Sequence, residues 1–111
     1  MYYVYMIRCR DNSIYTGKTT DLKRRMDEHF KQNEKCAKYT LNHPVVKLEY
    51  AWETENRVLA SKLEYYIKKR LTKKQKEELI IKNNLEELAS EKIEVNKYKK
   101  YEIGGIKNDI S

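Results

Sequence analysis

The chain has 111 residues, of which 40% are hydrophobic and 37% charged, and its formal net charge is +7. This length suits one domain with a modest core, and the basic excess favours a polyanionic partner. No apolar run approaches the length of a membrane span, and Arg8 and Arg10 break any signal-peptide profile, so we expect a cytoplasmic protein without membrane contact.

The net positive charge lies in the first three quarters of the chain. Residues 1–81 contain 18 basic and 11 acidic side chains, whereas residues 82–111 contain 6 of each. We therefore predict a functional domain at 1–81. Residues 82–111 are predicted to form a C-terminal extension with a short helix and a docked or flexible tail.

Two short strands are predicted at the start of the chain. Residues 2–9 are aromatic and branched with little polar alternation, which predicts a strand covered on both faces. Residues 11–13 favour a turn, and residues 14–17 predict a second, shorter strand. The two segments are therefore interpreted as a β-hairpin.

The register of the hairpin decides whether Tyr5 and Tyr15 share a face of the sheet, because side chains alternate along a strand. A two-residue turn at residues 11–12 would set Arg8 opposite Tyr15 and leave Tyr5 on the other face. A three-residue turn that includes Ser13 would set Cys9 opposite Tyr15 and bring both tyrosines to one face. We predict the three-residue turn, or a bulge with the same effect.

The segment from Asp21 to about residue 30 is predicted to be a helix whose apolar face also carries two polar side chains, Arg25 and His29. At about 100° per residue, the helix places Leu22, Arg25, Met26 and His29 on one stripe, with Arg24 roughly opposite. On such a stripe, the aliphatic part of the arginine side chain either covers apolar surface, or Arg25 and His29 point into a functional site.

The remaining elements complete a mixed fold. The sequence predicts a short helix at 34–41, a strand at 45–52 and a long helix at about 55–71 that is capped by Thr54. It also predicts a basic helix at 73–81 and, after it, a short helix with a capping box of Asn84 and Glu87. We expect an α/β (α+β) domain with a small, mainly antiparallel three-stranded sheet flanked by helices.

Four segments in order resemble one nuclease family. They are YVY at 3–5, YTG at 15–17, DLKRRMDEH at 21–29 and LASKLEYYIKK at 59–69. This set resembles the GIY-YIG nuclease superfamily over residues 2–81, and in particular its small stand-alone, single-domain members. Tyr3 and Thr16 depart from the letters that name the family, in a way that is similar to those stand-alone members.

The resemblance implies a set of site residues. The implied catalytic residues are Tyr5, Tyr15, Arg25, His29 and Glu64, with Glu64 as the metal ligand and Gly17 and Lys18 lining the site. Many relatives also carry a site asparagine after the glutamate. Here Asn83 and Asn84 are the nearest, and that role stays unassigned.

Those residue types suit phosphodiester hydrolysis. One carboxylate can hold a single Mg²⁺ or Mn²⁺ ion if water and substrate phosphate supply the other ligands. Arg25 offers a planar, permanently charged group to phosphate. The general base stays open among Tyr5, Tyr15 and His29, because a tyrosine needs its pKa lowered from about 10 and a histidine already titrates near neutrality.

Further basic residues favour contact with a nucleic-acid backbone. Arg24, Lys68, Lys69, Arg70, Lys73, Lys74 and Lys76 follow no base-reading motif. We therefore expect phosphate contacts with little sequence preference. DNA is the expected partner and RNA stays open. So small a surface leads us to expect help from a homodimer or a recruiting protein.

The sequence thus predicts a divalent-metal-dependent endonuclease that hydrolyses phosphodiester bonds in DNA, in repair or recombination. Two alternatives remain. One is a nucleic-acid-binding module that keeps the fold without catalysis, and the other is a protein-interaction adaptor.

Overall fold

The computed structural model describes residues 1–31, 37–89 and 91–103. The strands are β1 (Tyr2–Cys9), β2 (Ile14–Thr19), β3 (Val45–Thr54) and β4 (Lys99–Lys100). The helices are α1 (Leu22–Lys31), α2 (Lys38–Asn42), α3 (Arg57–Arg70), α4 (Lys73–Lys82) and α5 (Leu85–Ala89), with a 3₁₀ turn at Val95–Lys97. Residues 34–36 of the helix predicted at 34–41 lie outside the described residues.

The strands form one antiparallel sheet in the order β2-β1-β3-β4. The predicted α+β architecture is confirmed, but the prediction of three strands is wrong by one. Lys99 and Lys100 pair with Glu53 and Trp52, and they belong to the tail that is predicted to be docked or flexible. A two-residue strand depends on this long-range pairing and has no local pattern of its own.

Both faces of the sheet are covered, as the apolar first strand predicts. Val4 and Met6 of β1 pack on one face with α3, α4 and α5. Tyr5, Ile7 and Cys9 alternate with them and pack on the other face against α1. Since β2 is the edge strand, side chains from α1 and α3 can approach it from opposite faces of the sheet.

The β1–β2 hairpin has a three-residue loop at 10–12. Cys9 accepts a hydrogen bond from the Asn12 N–H, its own N–H donates to the Ser13 carbonyl, and Asn12 has a φ of 71°. This is the common three-residue loop that ends in a left-handed residue. The predicted turn length is confirmed, although the loop begins one residue earlier than expected.

That shift changes the residue opposite Tyr15 from the predicted Cys9 to Ile7. Because Cys9 and Ile7 are two residues apart, they occupy the same face, and so does Tyr5. The predicted partner is therefore wrong, but the two tyrosines lie on one face as expected.

Two predicted helix caps are wrong. Asn56, rather than Thr54, caps α3 by accepting from the Leu59 N–H, while Thr54 ends β3 and donates its hydroxyl to the Lys97 carbonyl. Before α5, the side-chain oxygen of Asn84 is buried and finds no hydrogen-bond partner among the described residues. At Thr54, a tertiary contact thus overrides the local capping signal.

The segment after residue 81 contributes to the core. Leu85, Ala89 and Tyr98 are buried beside α3, and the Tyr98 hydroxyl donates to the Leu59 carbonyl. The division of the chain at residue 81 stays a prediction. None of the described helices combines the length and the apolar character needed to cross a membrane.

Candidate active site

A cluster of polar and aromatic side chains lies at the outer edge of β2. Tyr15 of β2 has the His29 ring of α1 at 5.7 Å, while the ammonium of Lys68 on α3 lies 4.9 Å from the centre of the Tyr15 ring. Tyr5 joins the cluster from β1, at 6.4 Å from Tyr15. Two helices from opposite faces of the sheet therefore meet around Tyr15.

A chain of buried hydrogen bonds runs inward from Tyr5. The Tyr5 hydroxyl lies 2.7 Å from Nε2 of His29, and Nδ1 of His29 lies 2.8 Å from the hydroxyl of Thr40. Thr40 in turn donates to the Ala37 carbonyl at 3.1 Å. His29 and Thr40 have no exposed surface, and Tyr5 is 1% exposed, so water does not compete for these bonds.

Burial keeps the inner pair neutral. It lowers the pKa of His29 to about 4, and the nearby Arg25 guanidinium acts in the same direction. Burial also raises the pKa of Tyr5 well above its usual value, although a hydrogen bond from Arg25 opposes this rise. At neutral pH, Tyr5 is therefore a phenol beside an uncharged imidazole.

Arg25 connects this pair to the surface. Its guanidinium hydrogen-bonds to Tyr5 and forms a 2.7 Å ion pair with Glu28, three residues later on α1. The side chain is 21% exposed, so part of the guanidinium faces solvent. Glu28 thereby orients the cation that reaches the Tyr5 hydroxyl.

Glu64 faces the same cluster from α3. One carboxylate oxygen lies 2.9 Å from Nζ of Lys18, and the other lies 3.5 Å from Nζ of Lys68. The carboxylate is close enough to Tyr15 to add to the rise that burial causes in the pKa of that hydroxyl, while Arg25 and Lys18 oppose the rise. Two cations are thus already held against the carboxylate of Glu64.

The donor set fits a loosely held divalent ion. Within the described ranges, no three His, Cys, Asp or Glu side chains gather into a cluster of metal ligands. Glu64 supplies a single hard oxygen ligand, and Mg²⁺ commonly binds proteins through one or two carboxylates while water and phosphate complete its shell. The two ammonium groups mark positions beside Glu64 where positive charge is favourable.

Gly17 makes room for Tyr5. The two residues are directly paired across the hairpin, and a Cβ built on Gly17 would lie 2.6 Å from Cζ of Tyr5, closer still to its hydroxyl, and 3.0 Å from the Tyr15 ring. Only a residue without a side chain lets both rings approach the strand.

A comparison with family models gives a match to the GIY-YIG catalytic domain over residues 1–78. The chain belongs to the GIY-YIG family. The matched region contains each of the side chains that form the cluster at the edge of β2.

The similar proteins that we compared are small members of one group within this family. UPF0213 protein FN1575 of Fusobacterium nucleatum is 48% identical over 81 residues, which cover 73% of this chain and 78% of that protein. UPF0213 protein CPE1444 of Clostridium perfringens is 45% identical over 97 residues, covering 86% and 99%. A solution NMR structure of UPF0213 protein BH0048 from Bacillus halodurans has 35% identity, a TM-score of 0.43 and coverage of 73% and 84%.

Most of the site residues predicted from the sequence come together in the structure. The residues in the cluster are Tyr5, Tyr15, Gly17, Lys18, Arg25, His29, Glu64 and Lys68. Arg24 and Lys69 are exposed and leave their helices about 100° away from Arg25 and Lys68. If they contact substrate, they do so outside this cluster.

Three residues of the site were not singled out from the sequence. Glu28 pairs with Arg25, Tyr39 stacks on Tyr15 with ring centres 5.6 Å apart, and Thr40 bonds to His29. The spacing of Arg25 and Glu28 on a helix is a signal that could have found the first pair. Tyr39 and Thr40 reach the site through tertiary contact, for which the sequence has no local signal.

Proposed function

We propose that this GIY-YIG protein is a divalent-metal-dependent endonuclease that hydrolyses phosphodiester bonds in DNA. The observation that carries the proposal is the 2.7 Å hydrogen bond between Tyr5 and His29, made beside Arg25 and in the cluster that also holds Glu64. This arrangement combines a proton acceptor, a phosphate-binding cation and a metal-binding acid. Phosphodiester hydrolysis needs proton transfer from the attacking water and stabilisation of charge on the phosphate, and the cation and the metal ion would both supply the second.

Tyr5 and His29 act as the proton-accepting pair in this proposal. The Tyr5 hydroxyl takes a proton from the attacking water while its own proton passes to Nε2 of His29, so Tyr5 need not exist as a free phenolate. The low pKa of His29, about 4, supports this role because it keeps Nε2 unprotonated at neutral pH. His29 leaves the step as an imidazolium.

Arg25 binds the scissile phosphate. Its guanidinium is permanently charged and partly exposed, and it already contacts the Tyr5 hydroxyl. A phosphate bound there would be adjacent to the residue that accepts the proton. Charge that develops on the phosphate oxygens would be stabilised by a cation that Glu28 has already oriented.

Glu64 would hold the Mg²⁺ or Mn²⁺ ion, which supplies a bound water of lowered pKa and offsets charge on the phosphate. An ion at Glu64 would compete with Lys18 and Lys68 for the carboxylate. Each lysine could then offer its ammonium group to the backbone of the nucleic acid near Tyr15.

The substrate we propose is DNA, in a repair or recombination process in the cytoplasm. Support comes from the family and from the excess of positive charge in residues 1–81. Binding through Lys and Arg side chains should weaken steeply with salt and depend little on sequence. A homodimer or a recruiting partner would add the surface that so small a domain lacks.

A cleavage assay tests the proposal. Purified protein is incubated with plasmid, linear duplex and branched DNA in the presence of Mg²⁺ or Mn²⁺. Cleavage should need the metal and should be abolished by Glu64→Gln and by Arg25→Met. The matched controls are Glu86→Gln and Arg57→Met, which change exposed residues on α5 and α3 and should leave cleavage intact.

The same assay distinguishes the alternatives. DNA binding without cleavage under any metal condition would identify a binding module, and the absence of both would favour an adaptor. Tyr5→Phe and Tyr15→Phe then assign the proton-accepting hydroxyl. A greater loss in Tyr15→Phe would move that role to Tyr15, which is the more exposed of the two rings.

A further inference from the structure

Thr40 is a buried threonine of the short helix α2, with no exposed surface and a hydroxyl 2.8 Å from Nδ1 of His29. The same hydroxyl lies 3.1 Å from the carbonyl oxygen of Ala37. A carbonyl oxygen can only accept a hydrogen bond, so the single hydroxyl proton of Thr40 points to Ala37. The Thr40 hydroxyl oxygen is therefore the hydrogen-bond acceptor toward Nδ1 of His29.

This orientation determines which nitrogen of His29 carries the proton. A neutral imidazole has one protonated nitrogen, and the hydrogen bond at the other nitrogen selects the tautomer. Because Thr40 accepts, Nδ1 is the donor and Nε2 has the free lone pair. The proton of the Tyr5 hydroxyl can then be donated to Nε2 across 2.7 Å.

We propose that Thr40 is a positioning residue that holds His29 in the Nδ1–H tautomer, so that Nε2 accepts the Tyr5 proton. The inference rests on the proposed function for its catalytic meaning, and its structural part stands on the hydrogen bonds alone. Thr40 touches neither substrate nor metal and acts only through His29. The bond from Nδ1 is kept when Nε2 gains a proton, because both ring nitrogens are donors in the imidazolium.

The opposite tautomer would disable the pair. With the proton on Nε2, His29 would present a donor to the Tyr5 hydroxyl, and Tyr5 could no longer pass its proton inward. Without the Thr40 hydroxyl, Nδ1–H would be a buried donor that has lost this partner, at a cost of about 1–3 kcal/mol. Removal of that hydroxyl therefore shifts His29 toward the unproductive tautomer.

The test reads the tautomer directly by ¹⁵N NMR of the histidine rings in the full chain at pH 7, without DNA or metal. The chain has two histidines, so His43→Gln assigns the spectrum. We expect Nδ1 of His29 to be protonated in the parent protein and in Thr40→Ser, and the signal of Nε2 to change toward protonation in Thr40→Val. An Nε2–H form in the parent protein would overturn the inference, even if no variant could be purified.

Thr54→Val is the matched control. Thr54 is also buried and also donates to a carbonyl, that of Lys97 at 2.8 Å, but it lies away from His29. Its loss should lower stability and leave the tautomer and the cleavage rate unchanged. Thr40→Val should slow cleavage by about 10- to 100-fold, a range typical of residues that orient a catalytic or metal-binding histidine, and Thr40→Ser should restore most of it.

The two proposals fail in different ways. If the parent protein cleaves no DNA but His29 is the Nδ1–H tautomer, the proposed nuclease function is wrong and the tautomer assignment is supported. If the protein cleaves DNA and Thr40→Val cleaves as fast as the parent, Thr40 has no positioning role and the nuclease function is supported.

Discussion

Gly17 and Tyr5 share one space: the two residues are paired across the β1–β2 hairpin, and the phenol ring stands where a side chain of Gly17 would be. The glycine of the YTG segment thus allows a tyrosine of the neighbouring strand to reach His29. Its role is steric, since the strand conformation at this position does not itself require glycine.

Gly17→Ala should therefore damage both stability and activity. The added methyl overlaps the Tyr5 ring, so we expect a loss of about 1–3 kcal/mol in the free energy of unfolding. The ring must move away from His29, and cleavage should fall with it. Urea unfolding of the single variants and of Gly17→Ala combined with Tyr5→Leu gives the coupling between the two sites. Additive losses would contradict the steric explanation.

Stability should fall as the pH is lowered from about 6.5 to about 4. The pKa of His29 is about 4 in the folded protein and near 6.5 when unfolded, so in this range the unfolded chain binds the extra proton. The full contribution, ~3 kcal/mol for this shift, is present above pH 6.5. It is lost progressively as the pH falls to 4.

Thermal unfolding between pH 4.5 and 7.5 measures this dependence. The slope should flatten in His29→Gln and persist in His43→Gln, which removes the other histidine of the chain. An equal slope in the parent protein and in His29→Gln would show that other groups cause the acid sensitivity. Arg25 and Glu28 are the charged groups that face His29, and Arg25 stays charged throughout this range, so it should not mimic the effect.

Metal binding should depend on Glu64 and be opposed by Lys68. Glu64→Gln should abolish Mn²⁺ binding measured by calorimetry, whereas Lys68→Met should tighten it. The expected gain is about two- to fivefold, since a partly exposed ion pair contributes ~0.5–1 kcal/mol and the ion need no longer displace it. Lys69→Met, at the exposed neighbouring position, is the control. Unchanged Mn²⁺ affinity in Glu64→Gln would remove the proposed metal ligand.

Thr16 provides a test of buried polar groups on the other face of β2. Its hydroxyl is buried and finds no hydrogen-bond partner among the described residues. Thr16→Val should keep the shape, remove an unsatisfied polar group and raise the free energy of unfolding by about 1 kcal/mol. Thr54→Val removes the hydrogen bond that the Thr54 hydroxyl donates to the Lys97 carbonyl, and it should lower the free energy of unfolding by a similar amount. Urea unfolding of both variants checks the opposite signs.

Residues that follow a local period were predictable. The stripe on α1 that contains Leu22, Met26 and His29 is buried, and the alternation in β1 sends Tyr5 and Val4 to opposite faces. Side-chain direction follows from backbone period, so the sequence alone could bring Tyr5, Tyr15 and His29 to one side of the sheet. The three-residue turn was predicted because it brings Tyr5 and Tyr15 to one face, and the residues of the turn alone did not determine it.

Residues that act through distant contacts were not predictable. Thr40 and Tyr39 belong to a five-residue helix. They join the site because Thr40 hydrogen-bonds to His29 and Tyr39 stacks on Tyr15, and both partners lie far away in the sequence. The contact of Glu64 with Lys18 joins residues 46 positions apart. Such pairs depend on how α2 and α3 pack against the sheet, and no local pattern encodes that packing.

The three-residue loop at 10–12 has a consequence for how this molecule can vary. Cys9 and Ser13 close this loop and fix the register of the two strands, so a gain or loss of residues within 10–12 that keeps this closing pair leaves Tyr5 and Tyr15 on one side of the sheet. A single residue inserted between Tyr5 and Cys9, or between Ser13 and Tyr15, would instead shift one tyrosine by one position, and the two-residue period of a strand would turn it to the opposite side. The loop is therefore free to vary in length, whereas the strand segments between the loop and the tyrosines are not.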